Sequence, residues 1–371
     1  MKKRAGVLLH FFDRNIGVPL VFFLGIFKKK RILKDVKKIA VLNTAAIGDT
    51  ILISAIIKDL KAHYPEAYIT FFSGPDNFQA ASLCENVRCV KLPITQILKT
   101  FILVRKCSFD LWIDCGQWPR INALISFFSK SKFTIGFETN NQYRHYLYDQ
   151  SVKHLENVHE LENFRNLIRC ITVPALHIPQ FKIREENSKN QTHSEPIVVH
   201  LFAGGSQAIM KHWDPKKWAE VIDSITLNGN VVHFTGSQKD YYECQSVLDL
   251  CQRKDKLLNQ AGKLSLKDTA QLLNAAEAVI SVDTGIVHLA AALNCAVVAI
   301  HGPTSPERWG AIGNSVVFVT PRIKYKPCIS MGFEKICAKN MCMKSIQSED
   351  VINALERAIK LSRIQKYGPI R

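Results

Sequence analysis

The chain has 371 residues, 47% hydrophobic and 22% charged, with eleven cysteines at irregular spacing. That excludes a fibre, a disordered tail and a small disulfide scaffold, and suits two globular α/β domains. Forty-nine Lys and Arg against 32 Asp and Glu give a formal charge of +17, which favours an anionic partner. No RNA-recognition aromatic signature, zinc-finger spacing or basic-zipper run is present, so a phosphorylated ligand or an anionic membrane is expected rather than nucleic acid. An odd cysteine count and no small-residue cleavage site after the first apolar run point to a reducing cytoplasm.

Residues 1–37 form the first segment. Lys2, Lys3 and Arg4 precede an apolar stretch from Ala5 to Phe27, and Lys28, Lys29, Lys30 and Arg31 follow it. Its length would span a bilayer, but Asp13 and Arg14 near its middle each cost roughly 2.5–3.5 kcal/mol on insertion. An amphipathic helix lying on an anionic membrane surface is expected, its basic flanks on the headgroups. Packing on the protein's own surface is the alternative.

From residue 38 short apolar runs alternate with helical patterns, as in parallel sheets wrapped by helices. The first domain is expected over 38–183, with strands at 38–43, 67–73, 89–92, 111–114 and 133–136. A helix is expected at 49–63, where Ile51, Leu52, Ala55, Ile56 and Leu60 recur at helical spacing before Pro65. The polar stretch 184–196 reads as a linker. The second domain, 197–371, shows strands at 197–202, 231–235, 278–282 and 296–300. Its helices are expected at 213–228, 240–252, 266–276 and 287–293. The fold class is α/β with two Rossmann-like lobes, whose ligands sit beyond the carboxyl ends of the strands.

Four turns after these strands carry candidate chemistry. In Ala46-Ile47-Gly48-Asp49-Thr50 the carboxylate is either a helix cap or a general base at the sheet edge. In Ala203-Gly204-Gly205-Ser206, followed by Lys211, small residues let backbone N–H groups approach a phosphate, and the lysine adds charge; a plain structural turn fits equally. In Asp283-Thr284-Gly285-Ile286-Val287-His288 a hydroxyl, a helix start and an imidazole one turn along could converge on an anion. His301-Gly302-Pro303-Thr304-Ser305 is a rigid loop with candidate donors. Cys328, Cys337 and Cys342 lack the paired spacing and fourth ligand of a zinc site, so thiols or a disulfide are expected and no metal.

In this order and spacing the turns resemble the ADP-heptose:lipopolysaccharide heptosyltransferase family, glycosyltransferase family nine, over most of the chain. The resemblance implies a glycosyltransferase B-type fold with an acceptor lobe followed by a donor lobe. It also implies inverting transfer of heptose, or a related sugar, from ADP-heptose to a lipopolysaccharide inner-core acceptor, with no cofactor and no obligatory metal. Asp49 would be the base. Lys211 would neutralise the donor diphosphate, Thr284 and Gly285 would bind its phosphates, His288 would assist, and Asp283 would shape the loop. Gly204, Ser206 and Gln238 complete the expected donor site; Gln238 stands where heptosyltransferases often carry an acidic residue. Gln117, Arg120, Lys130 and Arg144, with Asp114 and Lys132 nearby, are the acceptor candidates. The chain would work peripherally on the cytoplasmic face of the inner membrane. The rival readings are a sugar-nucleotide epimerase or hydrolase of similar design, and a non-enzymatic membrane-associated binding protein.

Overall fold

The computed structural model describes residues 13–183, 195–205, 207–330, 337 and 339–368. The chain divides into two compact units between His177 and Ile178.

In the first unit six strands, β1 (Lys38–Asn43), β2 (Tyr68–Ser73), β3 (Arg88–Lys91), β4 (Leu111–Asp114), β5 (Phe133–Glu138) and β6 (Gln150–Lys153), form one sheet in the order β3-β2-β1-β4-β5-β6. Every pairing is parallel. Continuous apolar runs suit this sheet because helices cover both faces, and β1 is buried from Ile39 to Asn43. The register sets Leu42 of β1 opposite Phe72 and Asp114, so the carboxyl ends of the central strands lie together. On one face Phe72 stacks on Trp112 with ring centroids 5.0 Å apart.

Five helices matter here: α1 (Val18–Ile26), α2 (Ile47–His63), α3 (Ile97–Arg105), α4 (Arg120–Phe128) and α5 (Glu160–Arg169). α2 is apolar on nearly every side and buried from Thr50 to Ile57, with Asp59 and Leu60 beyond. α5 is amphipathic and buries Leu161, Phe164, Leu167 and Ile168.

The described part of the amino-terminal segment packs on its own unit. Val21 joins Ala123, Leu124, Leu147 and Tyr148 in a small core, and Phe22 lies against Tyr143 and Tyr146. Lys28 Nζ donates to Asp149 Oδ2 at 2.8 Å and Thr134 Oγ1 at 3.1 Å; burial lowers this lysine's pKa and the carboxylate opposes the fall. Arg31 holds Asp149 through its backbone N–H and the Ser131 carbonyl through its guanidinium. Two of the four cations that follow the apolar stretch, Lys28 and Arg31, are thus engaged by the protein. The outward face carries Phe23, Ile26, Phe27 and Ile32. Residues 1–12 lie outside the described residues, and among the described residues no helix is long and apolar enough to cross a membrane.

In the second unit β7 (Ile197–His200), β8 (Val232–Thr235), β9 (Leu257–Asn259), β10 (Ala278–Val282), β11 (Ala296–Ile300) and β12 (Val316–Val319) form a parallel sheet in the order β12-β11-β10-β7-β8-β9. Its helices include α6 (Pro215–Leu227), α7 (Tyr241–Leu250), α8 (Leu266–Asn274), α9 (Gly285–Ala292) and α10 (Ser348–Tyr367). α10 starts at a capping box between Gln347 and Asp350 and packs on β11 and β12. Leu176 and His177 donate their backbone N–H groups to Asp59 Oδ1, at 2.9 and 3.0 Å, while Phe181 N–H bonds Ala292 O at 2.8 Å. The boundary therefore precedes the expected linker, most of which (184–194) lies outside the described residues.

Candidate active site

The turn between β1 and α2 is built by buried amides. Asn43 Nδ2 donates to Ala45 O at 2.8 Å and Thr50 Oγ1 at 3.2 Å. Asn77 Nδ2 donates to Asn43 O at 3.0 Å and to Thr50 Oγ1 at 2.8 Å. Thr44 Oγ1 bonds Asn122 Oδ1 at 2.8 Å. Held this way, Ala46 takes φ 62° and ψ 125°, a conformation an L-residue adopts only at a cost.

Asp49 is the third residue of α2. Its carboxylate does not cap the helix, and it has no hydrogen-bond or ion-pair partner among the described residues. Burial first, and the nearby Glu160 second, push its pKa from 3.8 up to about 8. Close by, burial drives the Cys115 thiol well above its ordinary range, with Asp114 and Asp49 adding to the effect. A carboxyl poised near neutral pH, without a competing partner, is the state in which an acid side chain exchanges protons with a ligand.

The corresponding turns of the second unit are cationic. After β7, Gly204 and Gly205 have nothing within 4 Å of where a Cβ would stand, and Gly205 has φ +97°. This stretch is backbone facing open space; Ser206 lies outside the described residues. Lys211 ends the short helix that follows, and its Nζ donates to Asp283 Oδ2 at 2.8 Å and Asp283 O at 3.1 Å. Burial of Asp283 works against ionisation, but Lys211, then His301 and His288, hold its carboxyl well below the usual range. The pair anchors the turn where β10 passes into α9.

There Thr284 caps α9, its Oγ1 accepting from Ile286 N–H at 3.2 Å. Gly285 opens the helix, and His288 follows one turn along, 7% exposed. His301, directly after the neighbouring strand β11, is fully buried, with Nδ1 3.2 Å from Thr304 Oγ1; burial lowers its pKa and Asp283 opposes the fall. Lys211, a helix amino-terminus and two imidazoles thus gather at one sheet edge, the composition of an anion site.

The family model for glycosyltransferase family 9 (heptosyltransferase) matches residues 97–337. The chain belongs to that family. It is 23% identical over 326 residues to a lipooligosaccharide heptosyltransferase 2 of Campylobacter jejuni, covering 86% of this chain and 97% of that protein. The solved ADP-heptose lipopolysaccharide heptosyltransferase II of E. coli superposes with TM-score 0.70 at 20% identity, over 87% of this chain and 98% of that one. A family 9 glycosyltransferase of Veillonella parvula gives TM-score 0.75 at 19% identity, over 89% and 99%. Two parallel-sheet Rossmann-like units are the B-type fold these proteins share.

Within this heptosyltransferase-family chain the other candidates fall in different settings. Gln238 is exposed in a short helical turn, where Asp240 rather than Gln238 accepts from Ser237 N and Oγ, each at 2.7 Å. Arg144 is fully buried in the first unit. It donates to Asp114 Oδ2 at 2.7 Å, to Tyr148 OH at 2.9 Å and to the Gly116 carbonyl, leaving no exposed surface for a ligand to meet. Arg120, 4% exposed, ties the 139–143 loop through the carbonyls of Gln142 and Asn141. Gln117 accepts from Thr139 Oγ1 at its carbonyl, and its buried Nε2 lacks a hydrogen-bond partner. Lys130 is exposed, and Lys132 pairs with Asp110 at 2.7 Å.

Two features lie outside the motifs legible in the sequence. Glu160, whose charge acts on Asp49, and its partner His154 sit in a stretch without a recognised motif. His301 was visible only as the start of a loop. Cys328, Cys337 and Cys342 are free thiols, and among the described residues no group of His, Cys, Asp and Glu could hold a metal ion.

Proposed function

We propose that the chain is an inverting transferase that moves heptose, or a related sugar, from a nucleotide diphosphate, ADP-heptose, onto a lipopolysaccharide-type inner-core acceptor, with no metal ion required. The observation that carries this reading is the unpaired Asp49 carboxyl, poised near pH 8 at the carboxyl edge of the first sheet. Asp49 takes the proton of an acceptor hydroxyl, which attacks the anomeric carbon from the side opposite the nucleotide. The bond to the diphosphate breaks as the new glycosidic bond forms. Lys211, His288 and the N–H groups around Thr284 and Gly285 stabilise the negative charge that builds on the departing diphosphate. The names of the relatives, one of them an ADP-heptose enzyme, support the donor. Gly204, Ser206 and Gln238 complete the donor contacts; of the acceptor candidates, Lys130 is exposed and Gln117 has a buried Nε2 without a hydrogen-bond partner. The apolar face of α1, flanked by Lys29 and Lys30, seats the enzyme on the cytoplasmic face of an anionic membrane.

The test uses ADP-heptose and a heptose-deficient lipid acceptor. Asp49→Asn should lower kcat by about 10²–10⁴-fold with donor affinity by calorimetry unchanged. A variant retaining more than about a tenth of parental turnover would remove the base from the scheme. Rapid turnover of donor without acceptor would favour a hydrolase or epimerase instead.

A further inference from the structure

Close to the partly exposed Asp49 lies a buried acid that no motif predicts. Glu160 opens α5, and α5 packs along α2. Each helix starts beyond the carboxyl end of a strand in the same parallel sheet, β1 for α2 and β6 for α5. Both acids therefore stand in first turns at one sheet edge. Glu160 is fully buried and firmly held. His154 Nε2 lies 2.9 and 3.2 Å from its two carboxylate oxygens, and Asn163 Nδ2 donates to Oε2 at 3.2 Å. Asn163 is itself locked to both backbone groups of Leu155, each at 2.9 Å, and the His154 ring packs edge-on against Phe137, 5.0 Å away.

The surroundings of Asp49 leave Glu160 as the charge that matters. From the end of β4, Asp114 is already ion-paired with Arg144, and burial keeps the Cys115 thiol protonated. From the turn after β2 and from α2 itself come the neutral Asn77 and Thr50. His159, at the head of α5, accepts from Leu161 N–H through Nδ1. No cation pairs with Asp49 among the described residues. A carboxyl close to a second carboxylate resists ionising. Glu160 holds the donors that stabilise a carboxylate, and Asp49 holds none.

We propose that Glu160 is a positioning residue for the base: a second carboxylate, fixed by His154 and Asn163 in the adjoining helix, that sets when Asp49 can accept a proton. Glu160 touches no substrate; it acts through Asp49. This rests on the reading of Asp49 as the base, and the experiment separates the two.

The variants are Glu160→Gln, which keeps the shape and removes the charge, and Glu160→Asp, which keeps the charge. The pH profile of kcat/KM is measured for each with ADP-heptose and acceptor. In parallel, the Asp49 carboxyl carbon is titrated by NMR in labelled full-length protein, which needs no turnover. E160Q should move the acid limb and the Asp49 titration to lower pH by about one pH unit. E160D should return both towards the parent. An acid limb and titration unmoved in E160Q, or moved equally in E160D, would make Glu160 merely structural and overturn the proposal. If instead Asp49→Asn retains turnover while the NMR shift appears, the base assignment fails and the coupling between the two acids stands.

Discussion

Asp49→Asn should stabilise the protein at high pH and leave it unchanged in acid. Burial, with Glu160 second, raises the Asp49 carboxyl from 3.8 to about 8 in the folded chain, and unfolding returns it to its ordinary value. A carboxyl raised on folding contributes its stability fully below about pH 4 and loses it as pH climbs through the folded value. At about 1.36 kcal/mol per pH unit, that span gives a ceiling of roughly 6 kcal/mol. Asp49 keeps part of its surface in water, and the positive end of α2 favours its charged form. Halving for both leaves about 3 kcal/mol. Asparagine does not titrate and escapes the loss. Urea unfolding of parent and variant, run at steps from acid to alkaline pH, should show a gap that opens with pH and levels off above about 8. A gap of constant size would refute the raised carboxyl, and with it a base poised for use near neutral pH.

Three further outcomes follow from the second unit. Lys211→Ala leaves the buried Asp283 without its cation and should cost about 3 kcal/mol at neutral pH. Lys211 depresses the Asp283 carboxyl, so its contribution is present above the ordinary carboxylate range and fades as pH falls; urea unfolding should show the gap narrowing in acid, with donor affinity lost throughout. Gly204→Ala puts a methyl group into open space and should shift stability by less than about 0.5 kcal/mol while weakening donor binding by calorimetry. Gly205→Ala, at φ +97°, should cost about 1–2 kcal/mol in unfolding experiments.

The central strands were legible because a parallel sheet covered on both faces demands continuous apolar runs. Lys38–Asn43, Leu111–Asp114, Ala278–Val282 and Ala296–Ile300 are such runs, and each lies at its expected place. Two of the edge strands carry less of that signal. In Gln150–Lys153 and Leu257–Asn259 only one or two residues are apolar, so neither stood out. α10 had a legible period, with Val351, Ala354, Leu355 and Ala358 all buried, but no turn motif drew attention to it. The candidate site divides the same way. Asp49, Lys211, Asp283 and His288 were found because strand, small-residue turn and helix follow one another directly in sequence. Glu160 reaches Asp49 only through the packing of α5 on α2, and Arg144 meets Asp114 only through the neighbouring strands. Such partnerships exist only once the sheet is assembled.

Departures from local backbone and burial rules gather where the proposed chemistry is. Tyr143 and Asn340 also have positive φ, but they rest in the left-handed helical region; Ala46 does not. It is kept there by Asn43, Asn77 and Thr50, three buried side chains whose hydrogen bonds serve this one turn. Three residues on, a carboxyl is left without a partner although a capping arrangement was within reach of an Asp at a helix start. In the second unit two successive glycines face open space, while Asp283 is buried and needs Lys211 to remain charged. Each feature costs stability in the free protein, and each lies on a turn at the carboxyl edge of a parallel sheet. A fold selected for stability alone would relax Ala46 to glycine, cap α2 and fill the space beside Gly204. Keeping all of these unrelaxed makes physical sense where a ligand completes what the chain leaves open: a hydroxyl for Asp49, and phosphate oxygens for the backbone around Gly204 and Thr284.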